Sequence, residues 1–341
     1  MQISHQTPDF ARSADSYSFG VYRRAIANPN VCASGCLAPL RLKEWHYVSV
    51  STPRHFFACA IVRLGYAAKM FAYLVDREHP DRTVEVSTLH PLSLGVCFAS
   101  SSIAGRTVWH KGNRSLQIEY VQSPTPGWNL DVNLELGSVV LQGQLHIEDA
   151  EALALLYKLP TGNPAYTHKA AGLFLRGKLT ANGQPIDLTD AMAGIDWTRS
   201  VALRQTRWLW SALQGVTPQR QRVGLNLSAL VYDDANGNSQ ENALWVDGKV
   251  YPLGGVKFVL PKDPRKQPWR IHSRSGGTKE VDLLFTPLGT REEHVHLGLI
   301  KSDFIQPYGT YQGTVCPTDS GIPSLSVDGL FGVVETHESV W

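Results

Sequence analysis

The sequence has no run of eighteen apolar residues, and its start, MQISHQTPDFARSADSYSF, has no apolar signal core. Neither a membrane span nor a secretory signal is expected, so the reading is of a soluble cytoplasmic protein without integral membrane association. Neither sign of charge is in excess: 32 Lys and Arg stand against 30 Asp and Glu, a formal net charge of +2. Dedicated nucleic-acid binders show a concentrated basic stripe, so nucleic acid is not an expected partner. The most basic stretch, Lys257 to Arg274, is punctuated by proline, contains Asp263 and reads as a solvated loop. Cysteine is sparse, scattered and odd in number (Cys32, Cys36, Cys59, Cys97, Cys316), which suits reduced thiols. Cys32 and Cys36 stand as C-x3-C, but no second pair follows at zinc-site spacing. Also missing are G-x-S-x-G, the Walker loop, G-x-G-x-x-G after a strand, H-E-x-x-H and C-x-x-C. Their absence removes support from the common hydrolase, NTPase, dehydrogenase and zinc-protease readings, and no cofactor or metal is expected.

What is there has the composition of a globular chain. Apolar content of 43% with 18% charge is too hydrophobic for disorder, and 341 residues suffice for two domains. Residues 1–40 form an irregular lead-in. From Leu42 the pattern turns β, and the apolar stretch Phe56 to Val75, broken at Gly65, reads as two strands. Leu130, Val132, Leu134 and Leu136 alternate with Asp131, Asn133 and Glu135, the mark of a strand with one buried face. Val295, Leu297 and Leu299 alternate likewise, and Gly329 to Val334 reads as the last strand. Asp149 to Leu159 is locally helix-prone and stays ambiguous. Pro160, Gly162, Asn163 and Pro164 make the best linker in the chain. Asn236-Gly237 and Asp247-Gly248 are hairpin turns.

A faint repeat relates Leu42–Asp76 to Arg207–Asp247 at an offset of about 165 residues. Each has a basic-aromatic strand start, a proline-containing turn, an apolar strand ending in leucine and a further strand ending in Val-Asp. Antiparallel barrels of about eight strands, each with room for one small ligand, explain this with fewest assumptions. The expected architecture is all-β: an irregular N-terminal segment (1–40), a first lipocalin-like barrel (41–163) and a second (164–341).

The segments AGIDWTR, TRWLWSALQG, VGLNL, ENALWVDGK, PWRI, DLLFTP and HESVW, with LKEWHYVSVS and FFACAIVRLGYA before them, resemble domain-of-unknown-function family 2804 of bacteria and fungi. The resemblance spans roughly residues 35–341. Ser200 and Gln240 depart from it, where the family tends to have glycine and threonine. The two-barrel plan is similar, more distantly, to lipocalin-like carotenoid hydratases of the hydroxyneurosporene synthase type and to certain Diels–Alderases. That likeness implies tandem lipocalin-like barrels and apolar ligands, and transfers no chemistry.

The candidate site is centred on residues 194–248. Trp197, Trp208 and Trp210 fall within fourteen residues, and Trp208 and Trp210, two apart, share a strand face. Asp196 beside Trp197 is a candidate general acid, with Arg199, Arg204 or Arg207 as partner; a salt bridge pinning a barrel corner is the alternative. Asn226, Glu241 and Asn242 lie in or beside strands that otherwise read as buried, where an unpaired polar group costs a few kcal/mol. His168 is a candidate proton shuttle, against an exposed linker histidine. His294-x-His296 shares a strand face but shows no third metal ligand. Tyr308 is a candidate ligand contact, and Glu335 with His337 a candidate base and orienter. Two functions remain open. One is a cofactor-free hydratase, isomerase or cyclase acting on an apolar or amphipathic small molecule, with Asp196, Glu241 or His168 as proton donor. The other is a non-catalytic carrier of a lipid-like ligand.

Overall fold

The computed structural model describes residues 3–13, 16–33, 38–274, 279–298, 300–318 and 320–341. Cys36 of the C-x3-C pair and Leu299 lie outside them. The architecture is all-β, as two tandem antiparallel barrels, and among the described residues no helix is long and apolar enough to cross a membrane. Alternation decides which face turns inward. Leu130, Val132, Leu134 and Leu136 are buried, while Asp131 and Asn133 face out and accept hydrogen bonds from Gln144 and Gln142 on the neighbouring strand.

The chain divides into two compact units, Ser4–Ala202 and Leu203–Trp341. In the first, Leu42–Ser51, His55–Arg63, Ala67–Asp76 and Val84–Pro91 form one meander. A second runs through Val96–Cys97, Arg106–Lys111, Arg114–Val121, Gly127–Leu136, Val139–Glu148, Pro164–Ala181 and Met192–Val201. Met192–Val201 then pairs with Leu42–Ser51 across its whole length, so the last strand of the unit returns to the first. The second unit repeats the device. Gln205–Val216, Arg222–Ala229, Ala243–Val246 and Lys249–Pro252 form one meander, Val256–Val259 through Phe331–Val340 the other, and Phe331–Val340 pairs with Gln205–Val216. The two segments of the sequence repeat each supply the first three strands of a unit's first meander. Each unit encloses its own apolar core, one built around Trp128 and Trp197 and the other around Trp269 and Phe285.

Several elements differ from the sequence reading. The Pro160–Pro164 linker is a hairpin turn inside the first unit, where Leu159 N–H donates to the Asn163 carbonyl, and the chain changes units between Ala202 and Leu203 instead. Pro164–Ala181 belongs to the first sheet, hydrogen-bonded on both sides. The helix-prone stretch contains a strand, Leu153–Lys158; its edge pairs with Gly20–Tyr22, so the irregular N-terminal segment adds a short strand to the barrel. Here sheet pairing overrides local helix propensity. The basic stretch after Lys257 holds two paired strands, Val256–Val259 and Trp269–Ser273. The last strand is Phe331–Val340 and includes His337.

Gly177 marks a place where backbone packing leaves no room for a side chain. Its φ is +137°, and a Cβ there would lie 2.1 Å from the Gln144 carbonyl oxygen. Gly177→Ala is expected to destabilise the first unit by about 2–4 kcal/mol, measured by urea unfolding.

A row of unpartnered polar groups inside the first barrel

Three strands that the sequence places far apart meet in register at one level of the first barrel. His168 on Pro164–Ala181 lies opposite Trp197 on Met192–Val201, and Trp197 lies opposite His46 on Leu42–Ser51. The row continues through Ile61 and Met70 to Thr88. Side chains directly opposite each other in a sheet share a face. Trp197, Ile61 and Met70 belong to the apolar core, so this face is the interior. Trp197 is 0% exposed, His168 1% and His46 2%.

Four polar atoms of this row have no hydrogen-bond partner among the described residues: His168 Nε2, Trp197 Nε1, His46 Nε2 and Thr88 Oγ1. A buried polar group left unsatisfied costs about 1–3 kcal/mol. The three ring nitrogens together thus carry on the order of 3–9 kcal/mol of unmet desolvation, comparable with the net stability of a domain.

The other nitrogen of each imidazole is held. His46 Nδ1 meets Thr107 Oγ1 at 3.0 Å, and that hydroxyl also accepts the Ala99 N–H at 3.2 Å. His168 Nδ1 meets Ser102 Oγ at 2.8 Å. Loop 98–105 supplies Ala99 and Ser102, the strand Arg106–Lys111 supplies Thr107, and the loop is fastened by Trp128, whose Nε1 donates to the Ser102 carbonyl at 2.8 Å. Aromatic rings surround the row. Phe98 lies 6.0 Å from Trp197 and 6.4 Å from His46, Tyr166 lies 5.9 Å from Trp197, and Trp128 lies 5.6 Å from His168.

Burial disfavours the charged form of both imidazoles. The His46 pKa falls to about 3, through desolvation and then the proximity of His168. Desolvation also lowers His168, opposed by the nearby Asp149 and Asp196 carboxylates. The next level of the same face is charged: Glu44, fully buried, is bridged by Arg63 and by Arg199 Nη1 at 3.5 Å. Arg199 Nε donates to the Val31 carbonyl, tying the N-terminal segment to the barrel.

The other sequence candidates lie elsewhere. Asp196 precedes Trp197 and so points to the opposite face, where it pairs with Lys169 and accepts from Thr198 Oγ1 at 3.2 Å. His168, expected beside a linker, sits mid-strand in the interior. The remaining candidates belong to the second unit. Leu209 and Leu213 face its core, so Trp208 and Trp210 point the other way. Trp208 Nε1 donates to Glu335 Oε1 at 2.6 Å and Trp210 Nε1 to Asn226 Oδ1 at 2.7 Å. Asn226 Nδ2 donates to the Glu241 carbonyl, Glu241 Oε2 accepts from Ser228 Oγ, and Asn242 bridges Ser228 N–H to the Gly254 carbonyl. This network fixes the loop between Arg222–Ala229 and Ala243–Val246. Arg207 is exposed at a strand start, and Tyr308 is buried against Phe331. His337 bonds Ser302 and Ser339. His294 and His296 both contact Asp303, which also pairs with Lys301; the two histidines are exposed and Lys301 is half-buried.

The family described as Domain of unknown function (DUF2804) matches residues 13–341. The chain belongs to this family. No curated protein matches it. Among solved structures it is similar to CghA with Sch210972, at TM-score 0.52 and 12% identity over 88% of each chain. It is also similar to kievitone hydratase from Nectria haematococca, at TM-score 0.45 and 11% identity over 88% of each chain. At such identities the likeness to CghA establishes the fold and nothing more about the chemistry.

Of the interior row, the sequence reading contains His168 and Trp197; it passes over His46, Ser102, Thr107 and Tyr166. His46 stands in a strand that also carries Lys43, Glu44, Ser49 and Ser51, so no contrast of polarity singles it out.

His46 makes stability depend on pH in a definite sense. Its ordinary value is 6.5 and its folded value about 3, so between them the unfolded chain binds a proton that the folded chain does not. Stability is full above about pH 6.5 and falls as pH drops, by about 1.4 kcal/mol per pH unit for this one group. Urea unfolding between pH 4.5 and 7 is expected to show this slope, and His46→Gln to make it shallower by about one proton. In the second unit, Asn226→Leu removes two buried hydrogen bonds and is expected to cost about 2–4 kcal/mol in the same assay.

Proposed function

We propose that the interior of the first barrel binds an apolar or amphipathic small molecule and that the protein acts on it by cofactor-free acid–base chemistry, as a hydratase, isomerase or cyclase. The observation that carries this reading is the row His168–Trp197–His46, three buried ring nitrogens without partners, side by side and ringed by aromatic groups. A polar ligand atom at that level satisfies groups that otherwise weaken the fold, and the surrounding rings offer the apolar contacts a small-molecule site needs. His168 is the proposed proton-transfer group, positioned through Nδ1 by Ser102. Asp196 has no part in this proposal. A reducing, cytoplasmic setting is supported by Cys32, Cys59, Cys97 and Cys316, all free thiols.

The carrier reading is favoured by one observation: His46, held to about 3, carries no second proton near neutrality, so it serves binding better than it serves as an imidazolium acid.

Organic extraction of the purified protein followed by mass spectrometry tests both. A stoichiometric apolar or amphipathic molecule is expected. Its turnover is expected to survive Asp196→Asn and to fall at least about 100-fold in His168→Gln. Retention of the molecule without turnover by any form selects the carrier. Loss of turnover in Asp196→Asn with full activity in His168→Gln would reverse the assignment.

A further inference from the structure

The contacts behind the two histidines set the character of the row itself. Trp197 Nε1 can only donate. Each neutral imidazole can present either a donor or an acceptor, according to which nitrogen holds the proton. Thr107 Oγ1 accepts the Ala99 N–H, and among the described residues His46 Nδ1 is the one acceptor within reach of its own proton. That places the imidazole proton on Nε2. On the other side, the Tyr166 hydroxyl accepts the Ile26 N–H at 2.9 Å and interacts with Ser102, whose Oγ lies against His168 Nδ1. Where the Ser102 proton points to His168 Nδ1, the His168 proton sits on Nε2, as on His46.

Resting on the small-molecule reading above, we propose that His168, Trp197 and His46 present three N–H donors in a row, which receive an acceptor oxygen of the ligand: a carbonyl that gains enolate character during reaction. Donors aimed where negative charge develops, in a site shut off from water, stabilise an oxyanion without reorganising. Placement on three adjacent hydrogen-bonded strands, spaced about 4.8 Å, holds the donors in fixed order. The depressed basicity of His46 agrees with a ring that works as a neutral donor.

Two measurements test this. Long-range proton–nitrogen NMR spectra of 15N-histidine-labelled protein report which ring nitrogen carries the proton. Both His46 and His168 are expected as the Nε2–H form, and Thr107→Val is expected to release His46 from it; a proton on Nδ1 of either ring in the unaltered protein overturns the inference. The second measurement compares binding of 2-acetylnaphthalene with 2-isopropenylnaphthalene, which matches it in shape but has no oxygen. About tenfold preference for the ketone is expected, approaching parity in Trp197→Phe. Equal binding of the two overturns the acceptor-oxygen inference and leaves the small-molecule site standing. Failure of both to bind counts against the site itself, and the inference falls with it.

Discussion

The site in the first unit depends on one set of backbone hydrogen bonds, those joining Met192–Val201 to Leu42–Ser51. This pairing joins the two meanders of the unit into one curled sheet and sets the register that puts Trp197 opposite His46. Because side chains in a strand alternate, a slip of one residue would carry Trp197 out of the interior and Asp196 into it. The closure therefore does two jobs. It shuts the apolar core away from water, and it decides which polar groups are shut in with it.

The two units use the same closure and differ in what they enclose. In the second, the interior hydroxyls satisfy one another: Ser211 meets Tyr311 at 2.8 Å, and Tyr311 donates to the Val333 carbonyl at 2.5 Å. Asn226 there is held by Trp210 and the Glu241 carbonyl, and Glu335 by Trp208 and Gln306. In the first, the hydroxyls of Thr107 and Ser102 meet the far side of the imidazoles, and the near-side nitrogens have no hydrogen-bond partner among the described residues. Equivalent frames thus yield one interior that reads as packing and one that reads as recognition.

Much of the fold is legible in the sequence, because alternation and turn chemistry are local. The alternating run at Leu130–Leu136, the break at Gly65 and the Asp247–Gly248 hairpin all follow from residues within a few positions of one another. The site is less legible for two physical reasons. Leu42–Ser51 and His55–Arg63 are buried on both faces, so no alternation marks the inward side. Register is also non-local: His46 and Trp197 are about 150 residues apart, and nothing near either one announces the other. Grouping Asp196 with Trp197 by adjacency in the chain joins two side chains that a strand must separate. The turn signals at Pro160–Pro164 were real, but a tight hairpin and a linker share the same residues.

The irregularity in Pro164–Ala181 adds a further constraint. Register shifts between Ala171 and Leu173, with Gly172 at φ +67°, so the strand's two halves are out of phase. His168 lies in one half and Leu175 in the other, and both turn inward only because one residue is accommodated outside the regular ladder. The interior thus depends on a count as well as on composition. Lengthening or shortening the chain by one residue at this point would exchange inside for outside along half the strand, while every residue of the row kept its identity.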